Sequence, residues 1–308
     1  MIDPRLQTLR VLREQGTVTA TAAALHLTPS TVSQQLRGLA RELDVRLLDQ
    51  VGRRVRLTAA AYALLRHADV MAAEAERARA ELAAHREGMA GLLRVSAMPT
   101  ALVSLVVSAA ARLRDANPLV TVELTQDESS HCFDLLLAGD SDIAVVLPAP
   151  GSPPADDPRF DQRPLLDEPQ DLLVPAGHRL AGRVGVELAE TAAEAWISGP
   201  ERITHHKVVT AACAAAGFTP RITGRAVDFL GVAALVAHGF GVSLISRLAY
   251  VPPDLDVLRV PLHGDQVPIR RHLIVVRQGS IEHALISAGV AAIRAVCLER
   301  TDVTVLGR

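Results

Sequence analysis

The stretch Thr28–Arg41, TPSTVSQQLRGLAR, holds the densest set of side chains able to recognise another molecule. Read with a helical period, Val32, Leu36, Leu39, Ala40 and Leu43 share one face, which leaves Ser30, Thr31, Ser33, Gln34, Arg37 and Arg41 on another. A Gln amide offers the donor and acceptor pair that matches an adenine edge, and Arg matches guanine. Ser and Thr hydroxyls suit a base edge or a phosphate, all within a major groove wide enough for one helix. Gln34 and Arg37 are the expected base readers. Further on, GRRVRLT places Arg53, Arg54 and Arg56 at the tip and trailing strand of an expected hairpin, where cations meet phosphate or enter the minor groove. The alternative is a solvated turn beside an exposed helix face.

Positioning that face takes a second helix and a turn. Thr19 is expected to cap a short helix from Ala20 to Leu25, and His26 and Leu27 to turn the chain. Thr28 then caps the reading helix, with Pro29 at its first position, where a missing N–H costs nothing. The result is a helix-turn-helix. Residues 1–60 carry nine Arg, no Lys and five acids, a local charge of +4, whereas residues 61–308 hold 23 basic and 29 acidic residues, or −6. Such asymmetry is expected when one end of a chain meets a polyanion.

Residues 58–88 contain neither Pro nor an internal Gly and read as one long helix, capped by Thr58 and closed by Gly88. Leu57, Ala61, Leu64, Ala68, Met71, Ala75, Ala78 and Leu82 alternate in spacings of four and three, the pattern of a coiled-coil seam. The alternative is a surface helix packed on its own domain; the length and the flanking charges favour a dimerising spacer. A dimer would present two reading helices to half-sites one turn of DNA, or a multiple, apart.

The remaining residues, 92–308, alternate short β-branched runs with amphipathic helices. Strands are expected over Leu93–Ala97, Val120–Thr125, Ile143–Leu147, Asp171–Pro175, Arg221–Arg225, Gly241–Ser246 and Leu273–Arg277. Helices are expected over Thr100–Asn117, His131–Ala138, Thr204–Ala216, Asp228–His238 and Ser280–Leu298. That order implies an α/β domain with mostly parallel strands, and the Pro- and Gly-rich segment Pro148–Pro164 sits near a crossover between two lobes.

A chain of 308 residues divides into about two domains, and its composition, 49% hydrophobic and 21% charged, excludes disorder as its dominant state. The first twenty residues are interrupted by Asp3, Arg5, Arg10, Arg13 and Glu14, so no signal peptide is expected. The longest apolar stretch falls short of the ~20 residues that span a bilayer. Cys132, Cys213 and Cys297 fit neither a disulfide framework nor a zinc pattern, and a reducing cytoplasm is expected. Adjacent His205 and His206 point in different directions on a helix and do not easily share a metal. A redox role for Cys132 or Cys213 would need an exposed, low-pKa thiol, and Cys213 in TAACAAAG reads as buried. No catalytic triad, carboxylate pair or phosphate loop stands out, and the GxG of Gly239–Gly241 follows a helix rather than a strand. The rival readings are a solute binder carrying an incidental helix-turn-helix and an architectural DNA protein without a ligand.

Over nearly its whole length the chain resembles the LysR-type transcriptional regulators. The resemblance is densest over Leu6–Thr58, in Leu6, Leu9, Leu12, Gly16, ATAAALHLTPSTVSQQLRGLARELDVRLLDQ and GRRVRLT. It continues with Pro118 in ANPLV, GDSDIAVV from Gly139 and HGFGVSLIS from His238. Leu9 and Leu48 stand where the family often has Phe, and Ala61 where it often has Gly. Asp44 also replaces a common Gly, at a turn that favours φ above zero. The resemblance implies an α/β protein with a winged helix-turn-helix head over 1–58, a linker and dimerisation helix over 58–88, and a periplasmic-binding-protein-like effector domain over 92–308. Its lobes would cover about 92–163 with 268–308, and about 164–267.

The implied function is sequence-specific regulation of transcription, tuned by a small molecule held between the lobes, with no catalytic role. DNA contacts are expected from Thr28, Pro29, Ser30, Thr31, Ser33, Gln34, Arg37, Arg53, Arg54 and Arg56. Effector contacts are expected from Pro99, Thr100, Gln126, Glu128, Ser129, Ser198, Gly199, Ile203, Thr204, Val227, Asp228 and Phe229. Free N–H groups and a hydroxyl at the helix start beside Thr100 would suit a carboxylate or other anion. Glu128 and Asp228 would instead favour an effector with donors, or one of them caps a helix. No metal or resident cofactor is implied beyond the small-molecule co-inducer. The implied partners are double-stranded DNA, the effector, a second copy in a dimer or tetramer, and RNA polymerase, with no membrane.

Overall fold

The computed structural model describes residues 3–51, 54–85, 89–149, 151–264 and 267–306, with only the backbone of Gln50, Val51 and Arg54. It divides into two compact units. One comprises Met1–Leu102, Val106–Arg163 and Leu273–Val296; the other comprises Val103–Leu105, Pro164–His272 and Cys297–Arg308.

The first unit opens with three helices, α1 (Pro4–Gln15), α2 (Val18–Ala24) and α3 (Pro29–Glu42). A short antiparallel hairpin follows, β1 (Leu48–Val51) with β2 (Arg54–Leu57). The 26-residue helix α4 (Ala59–Ala84) comes next. Leu6, Leu9, Leu12, Ala22, Val32, Leu36, Leu39 and Leu47 form one apolar core with Ala61, Leu65 and Ala68 of α4, so the head's core includes the start of the long helix. Leu9 is fully buried, which accommodates the missing Phe as a repacking. Asp44 adopts φ +49, the left-handed conformation expected of a turn position where Gly is common.

The rest of this unit places β3 (Gly91–Ala97) between β4 (Val120–Gln126) and β5 (Ile143–Val146), both parallel to it. Between β3 and β4 a helical run continues from α5 (Pro99–Ala101) through a π-helical turn into α6 (Val107–Ala116). Helix α7 (Ser129–Ala138) precedes β5, and Phe133, Leu136 and Leu137 pack with Ala144, Val146 and Phe160.

In the second unit the long strand β6 (Phe160–Pro175) pairs through its later residues with β9 (Ser243–Ser246) and β10 (Val257–Pro261), both antiparallel. Strand β7 (Ala195–Ser198) runs parallel to β8 (Arg221–Arg225), flanked by α8 (Thr204–Ala215) and α9 (Phe229–Ala237). Trp196 is fully buried here, and its indole donates to Thr191 O at 3.4 Å. Gly241, at φ +153, is required by a close approach: a Cβ would lie 2.4 Å from Ala195 O, where β7 and the backbone of Val242 exchange hydrogen bonds. Strand β11 (Ile269–Arg277), antiparallel to β5 over Leu273–Val276, leads into α10 (Ala284–Leu298) and β12 (Thr304–Val305).

Three expectations change. Among the described residues, antiparallel pairings outnumber parallel ones, because β6 and β11 return against the direction of their neighbours. Thr17, rather than Thr19, caps α2, its hydroxyl accepting from Ala20 N at 3.1 Å. Residues 297–308, expected with the first lobe, group instead with the second unit, where β12 pairs with Leu166 and Asp167 of β6.

Candidate functional site

Helix α3 is built to stand at an accurate angle. Thr28 Oγ1 accepts from Thr31 N at 3.1 Å, Pro29 takes the first position, and Val32, Leu36 and Leu39 anchor the inner face in the head's core. The expected DNA residues of this helix do come together on its outer side. Ser30, Gln34 and Arg37 are exposed and, with Ala40 and Arg41, line an open concavity of about 710 Å³. Thr31 and Ser33 are half-buried. Arg37 Nε donates to Ser33 O at 3.2 Å and Arg41 Nε to Arg37 O at 3.4 Å, so both guanidiniums lie along the helix with donors left for another molecule. Thr28 serves as the cap, its hydroxyl also 2.8 Å from those of Ser30 and Thr31.

The hairpin pairs Val51 with Arg54 and Asp49 with Arg56. Arg56 is exposed. Arg53 lies outside the described residues, as does Gly88, and the side chain of Arg54 is not described.

Helix α4 departs from the seam that its spacing suggests. Ala61 and Ala68 are fully buried in the core of their own head, so this half of the seam is already taken. Further along, Ala73 and Glu76 face the same unit's β-sheet portion: a Cβ on Gly279 would lie 2.5 Å from Ala73 O, and Arg277 Nε donates to Glu76 at 3.1 Å. Met71, Ala78 and Leu82 remain exposed and Ala75 half-buried, all on one stripe. The repeat of four and three is therefore divided between positions buried in the chain's own core and an exposed stripe, which spacing alone does not separate.

The expected effector residues divide between the units. In the first, Pro99 and Thr100 begin the helical run after β3; Thr100 is buried, 6% exposed, and its hydroxyl has no hydrogen-bond partner. Gln126 and Glu128 are exposed, with Glu128 at the start of α7 making no side-chain cap. Ser129 is buried, and its hydroxyl accepts from Leu147 N at 2.9 Å, fastening α7 to the end of β5.

In the second unit Ser198 is buried at the end of β7, its hydroxyl donating to Gly199 O and lying 3.1 Å from His206 Nδ1. Gly199 leaves little room, because a Cβ would come within 3.2 Å of Ile203, the residue that precedes Thr204 at the start of α8. Val227 and Asp228 are exposed. Asp228 is a helix cap, accepting from Gly231 N at 2.7 Å. Phe229 meets the His205 ring edge to face at 5.0 Å, and His205 Nε2 donates to Leu244 O at 3.0 Å. Burial holds the His205 imidazole at about 4, so it stays neutral near pH 7.

Sequence reasoning missed a polar cluster in the second unit. Glu168 and His272 are fully buried and 2.9 Å apart, with Arg270 and Ser246 also on the carboxylate. Burial pushes Glu168 up, but the His272 hydrogen bond and the Arg270 charge outweigh it and hold the carboxyl at about 2. Gln170, one strand repeat away and 1% exposed, leaves both amide atoms unpaired, as does His272 with Nδ1. The available signal was the alternation of Glu168 with Gln170 and of Arg270 with His272.

Residues 4–62 match the bacterial regulatory helix-turn-helix protein, lysR family, and residues 86–298 match the LysR substrate binding domain. The chain belongs to the LysR family. This LysR-type protein is a DNA-binding transcription regulator with an effector-binding domain, and not an enzyme. It is 29% identical to the HTH-type transcriptional regulator ShiR of Corynebacterium glutamicum (strain R) over 261 residues, 84% of each chain. It is 26% identical to a hydrogen peroxide-inducible genes activator of Dickeya chrysanthemi over 278 residues, 89% of each chain. The structure of full-length CbnR complexed with its target DNA matches at a TM-score of 0.57 and 22% identity, covering 96% of this chain and 100% of that one.

All three cysteines of the LysR-type chain are buried, and burial pushes the Cys132 thiol up to about 11 and that of Cys213 to about 12. That is the reverse of what a reactive thiol requires. Among the described residues no group of three side chains is placed to hold a metal, and no helix is long and apolar enough to cross a membrane.

Proposed function

We propose that this regulator reads its operator through α3, with Gln34 and Arg37 on base edges and Ser30, Thr31 and Ser33 on neighbouring edges or phosphates. Arg53, Arg54 and Arg56 hold the backbone, and Thr28 with Pro29 sets the helix start. The observation that carries this reading is a firmly capped, core-anchored helix whose exposed side offers an amide and two guanidiniums at groove-reading spacing. CbnR, a structural relative, is seen with its target DNA, which supports the same use of the fold here. Two copies join through the Met71, Ala75, Ala78 and Leu82 stripe of α4, and dimers pair into a tetramer that contacts RNA polymerase in the cytoplasm.

The effector is a small molecule taken by the C-terminal domain. Thr100 supports this, because a buried hydroxyl without a partner at the start of a helical run is a cost that a ligand acceptor or donor removes. In the second unit Ser198, Gly199, Ile203, Thr204 and Phe229 are retained as contacts, Gln170 joins them, and Asp228 is assigned to capping. Coupling of ~1–3 kcal/mol between effector and DNA gives a 5–150-fold response. The test is titration of the protein against its own upstream intergenic DNA and an unrelated duplex at matched salt. Preference for the former supports the proposal; equal affinity indicates an architectural protein, and no binding at low salt overturns the reading of the head.

A further inference from the structure

Within the first unit the head meets α7 and the segments near it through several polar contacts. Gln7 donates to Leu137 O, Glu14 pairs with Arg159, Gln15 bonds the Asp134 carboxylate, and His26 Nε2 lies 3.3 Å from Asp140. Beside the Glu14–Arg159 pair lies a cavity of about 400 Å³, within the ~300–1,000 Å³ range of small-molecule sites. Glu14 enters it from the head; α7 and the segment 151–160 supply the other walls. We propose that this cavity is a second small-molecule site, selective for an organic ammonium on a compact apolar body.

The lining sets the charge. Arg159 is 8% exposed, its Nε and Nη2 donating to Asp157 at 2.8 and 2.6 Å, while its Nη1 makes an ion pair with Glu14 without hydrogen-bond geometry. It offers an incoming anion little, and Glu14 and Asp134 repel one. Asp134 is half-buried and, bonded by Gln15 and attracted by His131 and Arg159 only from beyond ion-pair distance among the described residues, gains a closer counter-charge from an ammonium, which burial makes valuable. Burial pushes its carboxyl above the usual range, which agrees with that separation. The apolar wall suits the rest of the ligand. Phe133 and Phe160 meet edge to face at 5.1 Å beside Leu137, Pro153 and Pro154. The Arg159 guanidinium already sits 5.3 Å over the Phe160 ring, which shows that the wall accepts a cation. Because Glu14 belongs to the head, an occupant fastens the reading helices to their own effector domain.

The experiment is isothermal titration of the full-length protein with phenethylamine, and with 3-phenylpropionate as its anionic counterpart. Phenethylamine is expected to bind, phenylpropionate to fail, and Asp134→Asn to weaken the amine by about tenfold or more. Ser130→Tyr fills the same space from an exposed position and gives the same loss should Asp134→Asn disturb folding, with melting curves of both variants recorded alongside. Amine binding that survives both substitutions, equal binding of the anion, or no amine heat at low millimolar concentration overturns the proposal.

Discussion

Arg277 Nε on β11 donates to the carboxylate of Glu76 on α4 at 3.1 Å, with only 16% and 15% of the two side chains exposed. The same guanidinium reaches Asp142 at 2.9 Å and the carbonyls of Leu136 and Ser141, so one residue joins the long helix to the end of α7 and the entry to β5. Removing Glu76 leaves Arg277 its other partners, whereas removing Arg277 takes one donor from four acceptors at once. Of these, Glu76 keeps Arg79, Asp142 keeps the N–H of Arg94 and Leu136 O keeps the N–H of Gly139. Glu76→Ala is expected to lower the unfolding free energy by about 1–2 kcal/mol and Arg277→Met by about 3 kcal/mol, read from urea denaturation midpoints. Unchanged midpoints would deny the pair a structural role.

The two kinds of DNA contact separate by experiment. Gln34→Ala and Arg37→Ala should each relax sequence preference by ~1–3 kcal/mol, whereas Arg56→Ala should weaken every duplex alike and reduce the salt slope by about one. Fluorescence anisotropy over a salt series distinguishes them. A change that leaves both affinity and preference intact at Arg37 removes that residue from the reading face.

The two halves of the α4 repeat answer to different measurements. Ala75→Glu with Ala78→Glu is expected to split the dimer while leaving the melting temperature of the head in place. Ala61→Glu, placed in a fully buried position, is expected to unfold the head instead. Light scattering supplies the mass and circular dichroism the fold; an unaltered mass for the double variant would refute the exposed stripe as the contact.

Acid should destabilise the effector domain in two windows. In the folded chain burial holds His205 at about 4 against an ordinary 6.5, so between those values the unfolded state binds the extra proton and stability falls as pH falls. Glu168 stays ionised down to about 2 against an ordinary 4.5, so its contribution, present above 4.5, is lost as pH drops toward 2. Urea midpoints measured from pH 7 downward should decline through both windows. His205→Gln, which keeps a donor for Leu244 O without titrating, should flatten the upper one.

Peroxide offers a sharp negative. With the Cys132 and Cys213 thiols at about 11 and 12, the thiolate fraction at pH 7 is two or more orders of magnitude (roughly) below that of an ordinary cysteine. Hydrogen peroxide is expected to leave all three thiols, titrated after unfolding, and the DNA affinity of the folded protein unchanged. A sulfenic or disulfide species at any of the three cysteines would contradict this.

The head was the part best read from sequence, because capping, turn and core signals there all agree. Thr28 caps, Pro29 opens the helix, and Asp44 turns with positive φ. Local chemistry was less informative where strands are short or polar. Only Asp171–Pro175 of β6 was anticipated, since Asp161, Arg163, Pro164 and Asp167 break the apolar run, and Ala195–Ser198 is four residues long. Glu168, Gln170 and His272 escaped notice because polar residues inside a strand read as solvent-facing until neighbouring elements bury them. The seam misled for a related reason: a stripe of Ala and Leu reports that something packs there, not whose side chains do.

Helix α4 is keyed at one end into the head and farther along to Arg277 and Gly279, so it behaves as a lever arm with two fixed grips. From its start at Ala59 to the grip at Glu76 the arm measures ~26 Å, and a tilt of ~10° about that grip would sweep the head through ~4.5 Å, a little over one base-pair rise. A small shift beside Arg277 would thereby be magnified where the reading helices meet the operator.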